Sequence, residues 1–345
     1  MKAAVFHGLG KPLTIEEVAT PSVGPGELLL RVHYCGICGS DLHATQAGVF
    51  LVPDGTILGH EFTGEIVESR APSWTVGEMA TAVPNNACAD CRALGLGECK
   101  DRLGIVCPRN AITGFSPEFP GAYGEYVKFS AGEALRLPSD VRTLEGATAE
   151  PLAVGLHAVQ KSGLGVGANV LVLGAGPIGL ATMIFARLAG ARHVVTSEYA
   201  QTRREAAGRL GATAVIDPAK EDVGVAFGRI AGGPPDVIFE CVGVPGLIQQ
   251  CIDMSRPFGK VVVVGVCMVE DKFVPISGIL KEVSLQFVLG YGRPDWRVVL
   301  DLLDRGRVDP KPLITDVIPL RDLPAAFEAL RKPTTQIKVM INPRG

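Results

Sequence analysis

Asn169-Val-Leu-Val-Leu-Gly-Ala-Gly-Pro-Ile-Gly179 decides the fold of the second half of this chain. Its first five residues are a short apolar, β-branched run, the pattern of a strand buried in a parallel sheet. Gly174, Gly176 and Gly179 follow at once in G-x-G-x-x-G spacing, and residues 180–189 are apolar and helix-forming. Gly190 stands where a helix C-cap glycine would. His193-Val-Val-Thr196 predicts the next strand, with Glu198 at its end. A lone G-x-G-x-x-G is a weak signal; strand, glycines, helix, strand and terminal acid together specify a dinucleotide-binding unit. The first glycine makes the turn, the second lets pyrophosphate approach the backbone, and the third lets helix and strand pack closely. Pro177 and Ile178 open the helix, whose free N–H groups and dipole suit phosphates. An acid at position 198 can take both ribose hydroxyls and repels a 2′-phosphate, which favours NAD over NADP. Arg203 and Arg204 nearby pull the other way.

Working outward, the strand–helix rhythm continues, with strands expected at 170–173, 194–196, 214–216, 237–240, 260–264 and 285–289. Six strands suit a doubly wound parallel sheet of two mononucleotide-binding halves. Upstream, residues 1 to about 150 alternate short β-type runs with Gly and Pro turns and read as a mostly β domain. Residues 145–162 are the first long helical pattern and the expected crossover. At 345 residues the chain suits two domains, and 47 % apolar residues suffice for two cores. A net charge of −3 favours neither nucleic acid nor an anionic membrane. The opening Met1-Lys-Ala-Ala-Val-Phe-His7 lacks a signal-type apolar stretch and no run approaches a membrane span, so a cytoplasmic protein is expected.

The chemistry is concentrated in Cys35-Gly-Ile-Cys-Gly-Ser-Asp-Leu-His43, followed by Gly59-His60-Glu61 and later by Glu150-Pro151. One Cys, one His and one carboxylate from separate parts of a chain suit a zinc that keeps an open position; structural zinc sites usually close with four ligands. Each residue has a plainer reading as well. Cys38 alone suits a small buried hydrophobe, His60 a structural histidine, Asp41 a loop cap, and Glu150 a carboxylate at a helix N-terminus. Cys35 is read as packing, because no thioredoxin-like unit surrounds it.

Taken together, these motifs resemble the zinc-dependent medium-chain alcohol dehydrogenases in order and spacing over essentially the whole chain. Glu150, in Glu-Pro-Leu-Ala-Val-Gly, is most similar to the polyol, butanediol and threonine dehydrogenase branch. The resemblance implies a GroES-like, mostly β catalytic domain joined to a Rossmann domain. It places the catalytic domain at 1–151, the cofactor domain at 152–290, and a return to the catalytic domain at 291–345. It implies catalytic zinc on Cys38, His60 and Glu150, with Glu61 a transient ligand and Asp41 hydrogen-bonded to the other nitrogen of the ligand histidine. Ser40 and His43 match the family's proton relay from the substrate hydroxyl. The nicotinamide carboxamide is placed by analogy at Val264-Gly265-Val266. The activity implied is NAD-linked interconversion of a secondary alcohol or polyol and its ketone. The alternatives are a zinc-free reductase of activated C=C bonds and a non-enzymatic dinucleotide-binding protein. Assembly is expected as a homodimer or homotetramer through the apolar strand at 285–289, which lies at a sheet edge.

The family's second, structural zinc departs from its pattern here. Cys88, Cys91 and Cys99 fit three of four positions, but Asn85 stands in the first, and Cys107 is the candidate replacement. Zinc and a metal-free packed lobe both remain open readings of this stretch. Phe115 and Phe119 are candidate pocket residues.

Overall fold

A computed structural model of the protein describes residues 1–46, 52–86, 111–332 and 335–345. These residues form two compact units, Met1–Glu150 with Gly292–Gly345, and Pro151–Tyr291.

The first unit contains β1 (Lys2–Phe6), β2 (Thr14–Glu17), β3 (Glu27–Gly36), α1 (Gly39–Ala44), β4 (Thr56–Ile57), β5 (Glu61–Ser69) and β6 (Met79–Ala82). It continues through β7 (Asn85–Asn86), β8 (Ala111–Ile112), β9 (Tyr126–Ser130), β10 (Ala134–Arg136) and α2 (Thr143–Gly146). Helix α3 (Ala149–Ser162) runs across the division between the units.

The second unit alternates β11 (Asn169–Leu173), α4 (Pro177–Leu188), β12 (His193–Ser197), α5 (Gln201–Arg209), β13 (Ala214–Ile216) and α6 (Val223–Ala231). It goes on through β14 (Val237–Glu240), α7 (Leu247–Met254), β15 (Lys260–Val263), α8 (Pro275–Ile279) and β16 (Ser284–Phe287). All neighbouring strands are parallel, in the order β13-β12-β11-β14-β15-β16. That is the doubly wound order, with the ligand crevice expected where strand order reverses, between β11 and β14. Strands β11 and β14 are almost wholly buried because helices cover both faces. Helix α4 starts at Pro177, whose missing N–H costs nothing in a first turn, and buries Leu180, Ala181, Met183, Ile184 and Phe185. Two strands end earlier than their apolar runs suggest, β15 at Val263 and β16 at Phe287. At the first, the N–H groups of Val264 and Gly265 both converge on the Glu240 carbonyl, which closes the ladder.

The chain then returns to the first unit with α9 (Arg293–Asp304), β17 (Ile314–Pro319), α10 (Leu323–Ala329) and β18 (Lys338–Asn342). Strand β18 pairs with β3, so the main sheet runs β10-β6-β5-β3-β18-β17, with β9 also on β3. Phe6, Leu28, Leu30, Phe62, Phe129 and Phe327 fill its core. Among the described residues, no helix is long and apolar enough to cross a membrane.

Candidate active site

Strands β3 and β5 run antiparallel with Gly36 opposite Glu61, so the chain segments just beyond β3 and just before β5 meet at one end of the sheet. Gly36 is glycine for a reason that spacing did not suggest. A Cβ there would lie 2.0 Å from Glu61 Oε2, so the missing side chain makes room for a carboxylate. After β3, Cys38 precedes α1, and α1 carries Ser40, Asp41 and His43. One donor atom each from Cys38, His60 and Glu61 lies within 4.8 Å of the others.

Asp41 serves two purposes. The Cys38 N–H donates to its Oδ2 at 3.1 Å, capping α1. Its Oδ1 lies 3.2 Å from His60 Nδ1, although neither atom has a partner with hydrogen-bond geometry. The opposite ring nitrogen, Nε2, is 3.3 Å from Ser40 Oγ. Burial disfavours charge on both members of this pair. Even so, the attraction of His60 and hydrogen bonds from Tyr123 and Cys38 hold Asp41 below the usual carboxylate range. Asp41 and Cys38 in turn push His60 well above the usual histidine range. Surroundings that draw a proton onto a buried imidazole also favour a divalent cation.

The donor set fits zinc. Thiolate, imidazole and carboxylate are its usual ligands, and donors about 2.0–2.3 Å from a tetrahedral ion sit roughly 3.3–3.8 Å apart, inside the observed spread. Glu61 is not a free carboxylate, however. Lys338 Nζ, from β18, donates to both of its oxygens at 2.7 Å and to the Ile37 carbonyl at 3.0 Å. Both side chains are almost fully buried, at 2 % and 0 % exposure. Burial alone would lower the lysine pKa, but Glu61, Cys38 and Glu150 outweigh it and raise the pKa.

Glu150 is buried on the first turn of α3, outside the cluster of three donors, yet near enough for its charge to act on Lys338. His43 is half-buried, and burial lowers its pKa, keeping the imidazole neutral at pH 7. The Phe115 ring packs 5.3 Å from the His60 ring, at the site, whereas Phe119 is fully buried in the core. Cys35 is fully buried, and burial pushes its thiol pKa well up, as suits a packing residue. Cys88, Cys91, Cys99 and Cys107 lie outside the described residues. Asn85 is described, paired in β7 with β8.

Sequence reasoning missed two contributors, Lys338 and Tyr123. Lysine inside the apolar run Ile337-Lys-Val-Met-Ile341 was an available signal, since an unpaired ammonium is rarely buried. Tyr123, whose hydroxyl donates to Asp41 Oδ2 at 2.6 Å, offered none beyond its flanking glycines.

In the second unit, the three glycines divide by cause. Gly174 has φ +90°, and a Cβ there would meet Val242 at 2.8 Å. A Cβ on Gly179 would lie 1.9 Å from the Gly174 carbonyl oxygen. Gly176 differs, since a Cβ there meets nothing within 4 Å. The protein's own packing does not require that glycine, whereas close approach of a pyrophosphate to the backbone does. Glu198 follows β12, half-buried, and accepts from the Ala175 N–H and the Ala200 N–H, each at 2.9 Å. Arg204 is engaged with Asp217 at 3.1 Å and with the carbonyls of Glu198 and Tyr199. Arg203 is half-buried on α5. Beyond β15, Gly265 and Val266 pack on the turn after β14. A Cβ on Gly265 would sit 2.3 Å from Gly243 N, and one on Gly243 would sit 2.6 Å from Val266 backbone. Buried Glu240 holds that turn by accepting from Val242 N at 2.7 Å and Gly243 N at 2.8 Å.

Two family models match the chain, an alcohol dehydrogenase GroES-like domain at residues 24–139 and a zinc-binding dehydrogenase domain at 177–305. The (R,R)-butanediol dehydrogenase of Bacillus subtilis (strain 168) is 32 % identical, over 99 % of this chain and 100 % of that protein. The sorbitol dehydrogenase of Gallus gallus is 34 % identical over 98 % and 95 %. Among solved structures, the 2R,3R-butanediol dehydrogenase of Bacillus subtilis superposes with TM-score 0.87 at 31 % identity, covering 99 % of both chains. A structure described as a zinc-binding dehydrogenase of Sinorhizobium meliloti 1021 bound to NADP superposes with TM-score 0.88 at 30 % identity, again over 99 % of both.

Proposed function

The chain belongs to the zinc-dependent medium-chain polyol dehydrogenases and is an alcohol/ketone oxidoreductase, and from that premise we propose how its residues divide the work. The substrate is a secondary alcohol, as a vicinal diol or polyol, interconverted with its ketone by hydride exchange with NAD. The observation that carries this reading is the gathering of Cys38, His60 and Glu61 donors within 4.8 Å, with Ser40 Oγ beside His60 Nε2. Cys38 and His60 hold the metal, and Glu150 or Glu61 completes its ligands. Zinc, when bound, supplies Lewis acidity that lowers the pKa of a substrate hydroxyl, and the nicotinamide supplies the hydride acceptor.

The remaining steps belong to the chain. Ser40 accepts a hydrogen bond from the substrate hydroxyl and so fixes which carbon is oxidised. His43, held neutral by its burial, accepts the released proton and returns it to water. Asp41 faces the Nδ1 side of His60 at 3.2 Å, where its charge favours a proton and leaves Nε2 for the metal. Lys338 donates to both oxygens of Glu61 and so competes with the metal for that carboxylate.

In the second unit, the N-terminus of α4 at Gly176, Pro177 and Ile178 carries the pyrophosphate. Glu198 takes the adenosine ribose, with Arg203 alongside, and Val264, Gly265 and Val266 line the nicotinamide end. NAD is preferred over NADP, because a 2′-phosphate placed beside the Glu198 carboxylate would be repelled and Arg204 is already committed to Asp217. The protein acts as a homodimer or a dimer of dimers. Strand β16 is a sheet edge, and Leu280, Phe287 and Leu289 near it are 78 %, 60 % and 54 % exposed. A second copy that pairs along this edge removes both the apolar surface and the unpaired strand.

The test follows NADH absorbance with a panel of vicinal diols, polyols, hydroxy-amino acids and primary alcohols, alongside zinc content per chain. Cys38→Ser and His60→Ala are expected to lose zinc and turnover together. His43→Ala is expected to slow oxidation several-fold near neutral pH, with partial rescue by small buffers. Full activity in a zinc-free Cys38→Ser protein would overturn the reading.

A further inference from the structure

We infer that Tyr123 is a positioning residue for the metal site, holding His60 in ligating orientation through Asp41 and through the bend at Gly59. The inference rests on His60 being a zinc ligand, as proposed above, and adds a residue from a distant part of the chain.

Two independent contacts carry it. The first is polar. The Tyr123 hydroxyl donates to Asp41 Oδ2 at 2.6 Å, and both side chains are fully buried. That oxygen also accepts from Cys38 N at 3.1 Å, so two donors occupy Oδ2 and leave Oδ1 turned to His60 Nδ1 at 3.2 Å. Of the two donors to Oδ2, the tyrosine is the nearer. Without it the carboxylate keeps one longer bond and can rotate, and the imidazole loses its reference.

The second contact is steric. The backbone of residues 121–123 pairs with the segment that leads into His60. Gly121 N donates to Ile57 O at 2.7 Å, Ala122 N to Gly59 O at 2.8 Å, and Tyr123 N to Leu58 O at 2.9 Å. The Tyr123 ring then lies so close to Gly59 that a Cβ there would be 2.4 Å from Tyr123 Cδ1. Gly59 has φ +95°, a left-handed conformation that glycine adopts without strain, and it turns the chain immediately before His60. The ring also meets Phe327 edge-on, with centroids 6.3 Å apart at 79°. Phenylalanine would satisfy all of this packing. The hydroxyl is what packing does not explain, and burying one costs free energy unless it is hydrogen-bonded. Its partner is the carboxylate that faces the ligand histidine.

The experiment compares full-length wild type, Tyr123→Phe, Asp41→Asn, the double variant and His60→Ala. Zinc affinity is measured by competition with a chromophoric chelator, and urea unfolding midpoints are measured zinc-free and zinc-loaded. Partners of ligand histidines are typically worth 10–100-fold in metal affinity, and Tyr123 acts one bond further out. Tyr123→Phe is therefore expected to weaken zinc by on the order of 10-fold. Its zinc-free midpoint should fall too, because buried Asp41 loses a donor, but by less than the zinc-loaded midpoint, since the ring packing is kept. In the Asp41→Asn background the same substitution should change affinity by less than about 2-fold, since its route of action is gone. Wild-type affinity in Tyr123→Phe overturns the inference, as does an undiminished loss in the Asp41→Asn background. Equal destabilisation of the zinc-free and zinc-loaded proteins would assign Tyr123 to folding alone. If His60→Ala retains wild-type zinc affinity, the ligand assignment itself falls, a result distinct from the others, and the role of Tyr123 falls with it.

Discussion

Replacing Lys338 by methionine removes the cation from a buried ion pair while leaving most of its volume. Lys338 Nζ makes three contacts, at 2.7, 2.7 and 3.0 Å, two of them to the Glu61 carboxylate. Neither side chain has more than 2 % exposure, so solvent cannot take over the abandoned charge. Removing one partner of such a pair costs about 3–5 kcal/mol. For a domain of this size, about 2–4 °C per kcal/mol puts the loss at roughly 6–20 °C in the melting transition of the first unit. Zinc should soften that loss. The stranded Glu61 carboxylate lies in the same 4.8 Å cluster as Cys38 and His60, so a bound cation can replace the ammonium. The expected signature is a large loss in EDTA, a smaller one with saturating zinc, and poor turnover because Glu61 then occupies the metal. Pairing Lys338→Met with Glu61→Met should recover most of the zinc-free stability, since replacing both charges by apolar groups is often close to neutral. Calorimetry with and without EDTA, resolving the two units' transitions, reads all of this. A zinc-free loss below about 1 kcal/mol, or no recovery in the double variant, would refute the claim that Lys338 compensates the charge of Glu61.

Three further outcomes follow from particular contacts. Gly176→Ala should fold like wild type, since its Cβ meets nothing within 4 Å, but raise the NAD dissociation constant; Gly179→Ala, with its Cβ 1.9 Å from the Gly174 carbonyl, should cost about 1–3 kcal/mol before any ligand is added. Urea melts and NAD titration distinguish the two, and equal stability of both variants would undo the argument. Phe287→Asp at the β16 edge should give monomers in sedimentation velocity, and an unchanged dimer would move the contact elsewhere. His7 lies between Glu16 at 2.6 Å and Asp54 at 3.0 Å, and hydrogen bonds to Glu16 and then Asp54 raise its pKa above the ordinary value. A raised pKa means the stabilisation is fully present below about pH 6.5 and is lost as pH rises through the folded-state value. NMR titration of the His7 ring should show a midpoint above 6.5, and the His7→Ala melting temperature should lose that pH dependence. A midpoint at or below 6.5 would contradict the contacts.

Features decided within a few residues were legible in the chain itself. The β11–α4–β12 unit could be read because its requirements are local: a strand, a turn at Gly174 that needs positive φ, and a helix that Pro177 can start. Cys38, Ser40, Asp41 and His43 could be singled out likewise, since one short capped helix and the residue before it carry all four. What the fold alone decided lies in partners far apart along the chain. Lys338 meets Glu61 across 277 positions, and Tyr123 meets Asp41 across 82. Gly36 and Gly59 each leave a space that a side chain from elsewhere fills, Glu61 in one case and Tyr123 in the other, although Gly59 also turns at positive φ. Spacing reports the groups that a turn, helix or strand brings together. It does not report what neutralises a buried charge or occupies a glycine's empty volume, because both depend on distances through space that exist only once β18 and the segment at 121–124 have packed against β3 and the approach to β5.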